Sequence, residues 1–321
     1  MRLAFTLSLL ALPAFADAPR VSTDIAPIHA LTSQVMEGVG SPDLIVPSGA
    51  SPHGHALRPS EAQALERADL VLWVGSELTG WLSGPIETLA PDARVIALLH
   101  SPGTQVLDIR QEAGFEAHEH GDEHGDDHKD EHDHGHSHGH DHDHGHGTLD
   151  PHAWLNPENG AYWLGIIAEE LSAIDPENAA QYAANAAAGR AEIEAATADA
   201  QGILAPHQGT PYVVFHDAYQ YFEGVFGMPA AGAITTGTDA GPSPARIAEI
   251  RDVITQTEAA CVFSEAEFNP TLIETVFTEG GAGTAVIDPL GTSLPSGANM
   301  YPTLIRTLAT DMAECFANAA K

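Results

Sequence analysis

The sequence predicts an α/β protein of two lobes, each a roughly four-stranded parallel sheet flanked by helices. Short apolar runs alternate with segments of helical periodicity, a pattern typical of βαβ units with parallel strands. This alternation occurs in two blocks, residues 17–175 and residues 206–321. Between the blocks, residues 176–205 are rich in alanine and contain only Gly189 and Gly202 as glycines. That segment predicts one long rigid helix joining the lobes.

Residues 1–16 have the pattern of a Sec-type signal peptide. Arg2 supplies the charged start, and the apolar run that follows is too short to cross a bilayer. Ala14-Phe15-Ala16 is a small-x-small cleavage site, and the absence of a nearby cysteine argues against a lipid anchor. We therefore expect a soluble mature chain that is exported to the periplasm.

In the first lobe, four short apolar runs are separated by segments of helical periodicity. The candidate strands are residues 20–24, 43–47, 69–75 and 94–99, and the candidate helices lie near 27–39, 59–67 and 77–90. Strands that alternate with helices predict parallel pairing within one sheet.

A low-complexity tract follows the fourth strand, at about residues 112–149. It has almost no apolar residues, so it cannot bury enough surface to offset the entropy of ordering, and we expect a disordered loop. Residues 118–146 carry twelve histidines, which form a candidate accessory metal-binding site of low affinity. They are His118, His120, His124, His128, His132, His134, His136, His138, His140, His142, His144 and His146.

The linking helix has recognisable ends. Asp175 is a suitable N-cap, Pro176 suits the first helical position, and Pro206 ends the segment. At 1.5 Å per residue, such a helix is about 40 Å long and can act as a strut between lobes.

The second lobe repeats the alternation and holds both cysteines of the chain. Candidate strands are residues 211–216, 231–235, 260–265 and 284–288, and candidate helices lie near 217–226, 243–258, 269–279 and 299–318. In an exported protein, Cys261 and Cys315 are most simply read as a disulfide, and two free buried thiols are the alternative.

The charge balance narrows the range of partners. Lys and Arg number 12 against 45 Asp and Glu, for a formal net charge of -33. Such a surface repels nucleic acid and anionic lipid and attracts cations. Solubility alone would explain the acidity, but the 19 histidines favour a role connected with metal.

Four candidate metal ligands fall where strands of the two lobes end, the usual place for ligands in open α/β sheets. His53 lies after the second strand, His152 after the fourth strand and the tract, His216 ends the fifth strand, and Asp288 ends the last. Three imidazoles and a carboxylate make a four-coordinate set suited to zinc. His55 competes with His53. We interpret the remaining histidines, His29, His100 and His207, as structural or surface residues.

Several spaced motifs resemble those of the solute-binding proteins of metal ABC importers, and most closely the periplasmic zinc branch of that family. The motifs are "GASPHGHALRPS", "ADLVLWVG", "DPHAWLNP", "VFHDAYQYFE" and "DPLGTS", and the resemblance runs from about residue 20 to the C-terminus. It implies two lobes joined by a rigid helix, with Zn²⁺ held between them. The His-rich insertion and the cysteine pair also resemble this branch.

Residue by residue, the family's histidine ligands correspond to His53, His152 and His216. The family's fourth position can be Asp288, a glutamate beside the first histidine, or water. Pro52 stands where that glutamate would be, so Asp288 or water is favoured. Glu265 is expected to hydrogen-bond a ligating histidine. Members that bind manganese usually carry glutamate in place of His216.

These features lead us to expect a monomeric zinc-capture protein, not an enzyme. It would deliver Zn²⁺ to an ABC importer permease with its ATPase, and a periplasmic zinc chaperone is a further candidate partner. The alternatives are a zinc buffer without a transporter, a manganese-type uptake protein, and a zinc hydrolase with Glu265 as general base.

Overall fold

The architecture consists of two parallel sheets with helices around them, as the sequence predicts. A computed structural model describes residues 18–110, 149–235, 243–265 and 282–320. The first sheet has the strand order β2-β1-β3-β4 and the second β6-β5-β7-β8, and all pairings within them are parallel. The two lobes therefore share one strand order, with the first strand of each lobe in the interior of its sheet.

The strands are short and close to their predicted positions. They are β1 (Val21–Thr23), β2 (Asp43–Leu44), β3 (Leu70–Trp73), β4 (Arg94–Ala97), β5 (Tyr212–His216), β6 (Gly232–Thr235), β7 (Cys261–Ser264) and β8 (Gly283–Val286). Strands β1, β3, β5, β6 and β7 are buried along their whole length. Full burial explains why β3 and most of β5, β6 and β7 appear in the sequence as apolar runs without alternation, whereas β1 also buries Ser22 and Thr23.

The helices of the described residues mostly follow the prediction. They are α1 (Ala26–Val35), α2 (Pro59–Glu66), α3 (Ser76–Thr79), α4 (Ser83–Leu89), α5 (Pro157–Ile174), α6 (Ala179–Leu204), α7 (Gln220–Phe226), α8 (Pro244–Gln256) and α9 (Met300–Ala319). The candidate helix at 269–279 lies outside the described residues.

Two predicted helices differ from those observed, for local reasons. The segment 77–90 is divided into α3 and α4 by a 3-10 turn, because Pro85 has no N–H with which to continue a helix. Helix α1 ends at Val35, and Gly38, three residues further on, has a φ of +79°, which favours glycine.

Helix α6 links the lobes. It continues a 3-10 turn at Pro176–Asn178 and runs into another at Ala205–His207, and it packs against α1, α5 and α9. Gly189 allows this close packing, because a Cβ there would lie 2.7 Å from Gln34 Cγ and 2.9 Å from Leu164 Cδ1. This glycine therefore serves close packing in the strut.

Several contacts of the interior hold the two lobes together. Trp154 donates its indole N–H to the Pro289 carbonyl at 2.8 Å, and Tyr301 donates its hydroxyl to the Trp154 carbonyl at 2.6 Å. Both side chains are fully buried.

Cys261 and Cys315 form a disulfide that joins β7 to α9, which confirms the predicted pairing. Among the described residues, none of the helices combines the length and apolar character needed to cross a membrane.

Candidate metal centre

Three histidines that are far apart in the sequence meet between the lobes. His53, His152 and His216 each offer a ring nitrogen, and these nitrogens lie within 4.8 Å of one another. The ring centroids are 5.6 Å apart for His53 and His152, 5.5 Å for His53 and His216, and 4.8 Å for His152 and His216. The structure thus brings together the three histidines that the strand-end argument selects.

His152 is held in a fixed orientation by Asp150. The Asp150 carboxylate oxygen Oδ1 lies 2.7 Å from His152 Nδ1 and also accepts the His152 backbone N–H at 3.0 Å. Because Nδ1 donates to this carboxylate, the lone pair of the neutral ring is on Nε2. Nε2 is buried and has no hydrogen-bond partner among the described residues. An orphaned imidazole nitrogen of this kind is suited to a metal ion.

His216 lies beside the predicted outer-sphere glutamate. It is the last residue of β5, and its Nδ1 is 3.5 Å from Glu265 Oε1. Both side chains are buried. Glu265 follows β7, the neighbour of β5 in the sheet, so the fold itself places the carboxylate behind the ring.

His53 comes from the loop after β2 and completes the group from the first lobe. Burial, together with the nearby His152 and His216, lowers the pKa of His53 to about 3. At neutral pH the ring is therefore neutral and its nitrogen lone pairs are available. His53 and His152 border a cavity of about 60 Å³, whose wall also includes Glu77, Ile109, Asp150, Pro151 and Asp217.

The other histidines of the described residues have different roles. His55 Nε2 lies 2.8 Å from Glu61 Oε2, and the ring packs edge-on to Trp81, so the second member of the H-x-H pair is engaged elsewhere. His29 bonds the Pro42 carbonyl, His100 bonds Glu77, and His207 contacts Phe316.

The structure does not bring Asp288 into the group of three histidines. Its Oδ1 accepts the Leu290 N–H at 3.1 Å, while Oδ2 accepts the Thr292 hydroxyl at 2.8 Å and the Ser293 N–H at 3.2 Å. The carboxylate thus stabilises its own turn after β8.

Asp150 is a further residue of the site, beyond those that the sequence predicts. A signal was present, since Asp150-Pro151-His152 places an acid two residues before a histidine in a tight loop. The twelve histidines of 118–146 and the segment 1–16, which the sequence predicts to be a signal peptide, lie outside the described residues.

Three imidazoles whose ring nitrogens converge between the lobes can bind a borderline divalent cation such as zinc. The cluster draws on both lobes, so a bound ion would be held between them. A two-lobed α/β frame with such a cluster in its cleft defines a metal-binding protein.

Sequence comparison identifies the family. The model of the family described as ZnuA, "Zinc-uptake complex component A periplasmic", matches residues 21–315. The high-affinity zinc uptake system protein ZnuA of Brucella abortus (strain 2308) is 46% identical over 303 residues, covering 92% of this chain and 91% of the relative. Its counterpart in Paracoccus denitrificans (strain Pd 1222) is 47% identical over 315 residues, covering 98% and 96%. The chain belongs to this family.

Solved structures share the fold at low sequence identity. A crystal structure of ZnuA matches with a TM-score of 0.73 at 21% identity, covering 93% of this chain and 99% of that one. A zinc-bound ZnuA deletion mutant matches with a TM-score of 0.72 at 22% identity, covering 93% of this chain and 98% of that one. The protein FpvC of Pseudomonas aeruginosa in complex with Mn²⁺ matches with a TM-score of 0.73 at 20% identity, covering 94% of this chain and 99% of that one. Because structures with different metals match equally well, the choice of metal depends on the ligands.

Proposed function

We propose that this protein captures Zn²⁺ in the periplasm and presents it to an ABC importer. The observation that carries this proposal is the convergence of His53, His152 and His216, whose ring nitrogens lie within 4.8 Å of one another. Membership of the zinc-uptake family, periplasmic by its description, supports both the cargo and the compartment.

The donor set favours zinc over manganese. Three imidazoles suit a borderline cation, whereas hard Mn²⁺ prefers carboxylate and water oxygens. Zinc also has no geometric preference from its d electrons, so it accepts the arrangement that the cleft supplies. A manganese-type protein is therefore the weaker alternative.

Water is the fourth ligand that best fits the described contacts. Asp288 would have to give up its bonds to Leu290, Thr292 and Ser293 before it could bind a metal. Pro52 offers no side-chain donor. Asp150 and Glu265 would act behind His152 and His216, by holding the rings and raising their basicity.

Delivery requires partners that the chain itself does not contain. The proposed partner is a membrane permease driven by a cytoplasmic ATPase, which the family name of an uptake complex supports. We expect residues 1–16 to direct export and to be removed, the mature protein to be monomeric, and a periplasmic zinc chaperone to be a further partner.

Two other functions are less well supported. A zinc buffer without a transporter would not need a cleft between lobes braced by α6. A zinc hydrolase would need a general base, and the candidate, Glu265, lies 3.5 Å from His216 Nδ1. This position suits a carboxylate that supports the ligating ring better than a base that acts on a metal-bound water. We therefore propose that the protein is not an enzyme.

We propose that the tract 118–146 collects additional zinc at low affinity. Its histidines have to be gathered from a chain that pays about 1–2 kcal/mol for each backbone residue ordered. The cluster residues are held by folded lobes and avoid most of this cost.

Competitive titration against a zinc chelator tests the function. The proposal predicts one tight zinc site per chain and binding of Mn²⁺ that is weaker by orders of magnitude. In cells, the gene should restore growth under zinc limitation only when the permease gene is intact. Rescue without the permease would favour the buffer, and tighter binding of Mn²⁺ than of Zn²⁺ would favour the manganese type.

A further inference from the structure

A short strap of the first lobe, residues 107–110, is fastened to the second lobe around helix α7. The Tyr221 hydroxyl accepts the Leu107 N–H at 2.9 Å and donates to the Asp150 carbonyl at 2.8 Å. Gln220 Nε2 donates to the Asp108 carbonyl at 3.0 Å and to Asp150 Oδ2 at 3.1 Å. The strap also pairs with the chain entering the metal centre, since Asp150 N donates to the Leu107 carbonyl at 2.7 Å.

Arg110, at the end of the strap, makes the strongest of these connections. Its guanidinium donates to both oxygens of Asp217, with Nε 3.1 Å from Oδ2. It also donates to both oxygens of Glu223, at 2.7 Å from Nη1 and 3.1 Å from Nη2. Arg110 is 19% exposed and each carboxylate side chain 5% exposed, so solvent screens these pairs only weakly.

The two carboxylates depend on this arginine. Burial raises the pKa of Glu223, and the hydrogen bonds and charge of Arg110 oppose that rise. If the guanidinium were removed, Asp217 and Glu223 would be left as two buried acids close together, which is costly. The contact between the second lobe and the strap would then be weaker.

This arrangement adjoins the metal cavity directly. Ile109, which precedes Arg110, and Asp217, to which Arg110 binds, both contribute to the cavity wall. Asp217 also follows His216 in the chain. A contact that ties Asp217 to the first lobe therefore keeps His216 facing His53 and His152, which come from that lobe.

We propose that Arg110 is a positioning residue that latches the second lobe to the first beside the cavity and slows the release of zinc. The Arg110 latch consists of Arg110, Asp217 and Glu223. This inference rests on the proposed function, because it concerns release from that site. It also assigns a step to the importer, which has to break or bypass the latch to take the ion.

The test is stopped-flow dissociation of zinc into excess chelator, with the full chain. Arg110→Gln should release zinc about tenfold faster, while the association rate stays within about twofold, since truncating one partner of a buried charge pair acts on dissociation. Arg110→Lys should release zinc at a rate between those of the wild type and Arg110→Gln, because it keeps the charge and loses the bidentate geometry.

Arg94→Gln is the matched control. It removes the same charge from an arginine whose partner, Glu170, lies in the same lobe at 2.9 Å from Nη2. Its dissociation rate should equal that of the wild type. The double variant of Arg110→Gln with Glu223→Gln should release zinc no faster than Arg110→Gln alone, because the two residues act as one unit.

These measurements distinguish a failure of the latch proposal from a failure of the proposed function on which it rests. A wild type that binds zinc tightly, with Arg110→Gln releasing it at a rate within twofold, overturns the latch alone. A wild type without a tight zinc site overturns the proposed function and the latch with it. If Arg110→Gln does not fold, Arg110→Lys provides the test: faster release than in the wild type supports the latch, and an unchanged rate overturns it.

Discussion

The strand ends of the two lobes use carboxylates and imidazoles in different ways. Asp24, after β1, accepts the backbone N–H groups of Ile25 and Val74, each at 2.8 Å. Asp288, after β8, likewise accepts hydrogen bonds from its own turn. The corresponding positions of the opposite lobe hold imidazoles that face the cleft: His216 at the end of β5 corresponds to Asp24, and His152 after β4 corresponds to Asp288. The acids fasten loops, while the imidazoles are left for the metal.

This contrast has a simple physical basis. A carboxylate can accept several N–H groups at once, so it stabilises the turns at which parallel strands end. A neutral imidazole offers one acceptor, and when its N–H is held by a carboxylate, as in His152, that acceptor points away. The distinction can be tested by substituting each kind of residue.

The largest effect is expected from the imidazoles. Tight zinc binding should weaken by more than about 100-fold in each of His53→Ala, His152→Ala and His216→Ala. Removing a ligand should cost more than the 10–100-fold that is typical when a residue orienting a ligand is changed. Competitive chelator titration measures this.

The matched control is His55→Ala, since His55 is bonded to Glu61 and lies outside the cluster. It should leave the affinity within about threefold of the wild type. If His55→Ala were the damaging change, the choice of His53 within the pair would be wrong.

A smaller loss is expected from the acid behind His152. Asp150→Asn should lower zinc affinity by about 10–100-fold, because the 2.7 Å contact that fixes the tautomer is weakened. Glu265→Gln should cost less, since its distance from His216 Nδ1 is 3.5 Å. Isothermal calorimetry with chelator displacement gives both values, and the opposite ranking would show that Glu265 is the main orienting acid.

The sequence predicted the fold well because strand and helix signals in this chain are local. Short apolar runs predicted most of the strands, although β1 contains Ser22 and Thr23. Pro176 and Pro206 lie in the 3-10 turns on either side of the linking helix, but the α-helix has Asn178 as its N-cap, and not the predicted Asp175. The orientation of side chains at strand ends was less predictable. Nothing local to "DPLG" indicates that Asp288 bonds its own turn, and the pairing of Arg110 with Asp217 and Glu223 joins residues more than a hundred positions apart.

A pH comparison distinguishes the cluster from the tract 118–146. An imidazole of ordinary pKa, near 6.5, costs a metal site about fourfold in affinity between pH 7.5 and 6.0, because the metal has to displace a proton. Burial lowers the pKa of His53 to about 3, so this ring is already neutral at both pH values and adds no such cost. The tight site should therefore lose less affinity than the weak sites.

Zinc titrations at both pH values, on the full chain and on a variant lacking 118–146, measure this difference. In the deletion variant the tight site should persist at nearly unchanged affinity, while the weak sites disappear. Equal losses of affinity at the tight and weak sites would contradict the assignment of a lowered pKa to a metal ligand.

The smallest effect on zinc is expected at Asp288. Asp288→Asn should change zinc affinity by less than about threefold, but it should reduce the free energy of unfolding by about 1–2 kcal/mol, because charge-assisted bonds to the turn are weakened. Chemical denaturation of the metal-free protein gives the stability. A large loss of affinity with unchanged stability would instead identify Asp288 as a ligand.

An anomalous-diffraction map at the zinc edge shows most directly whether the three cleft histidines bind zinc. For crystals of the purified protein, we predict one strong peak between the lobes, about 2.0–2.1 Å from a ring nitrogen of each of His53, His152 and His216. A fourth contact to water, and none to Asp288, would complete the site. Strong zinc peaks only at histidines of 118–146, with none among the three cleft histidines, would contradict the account.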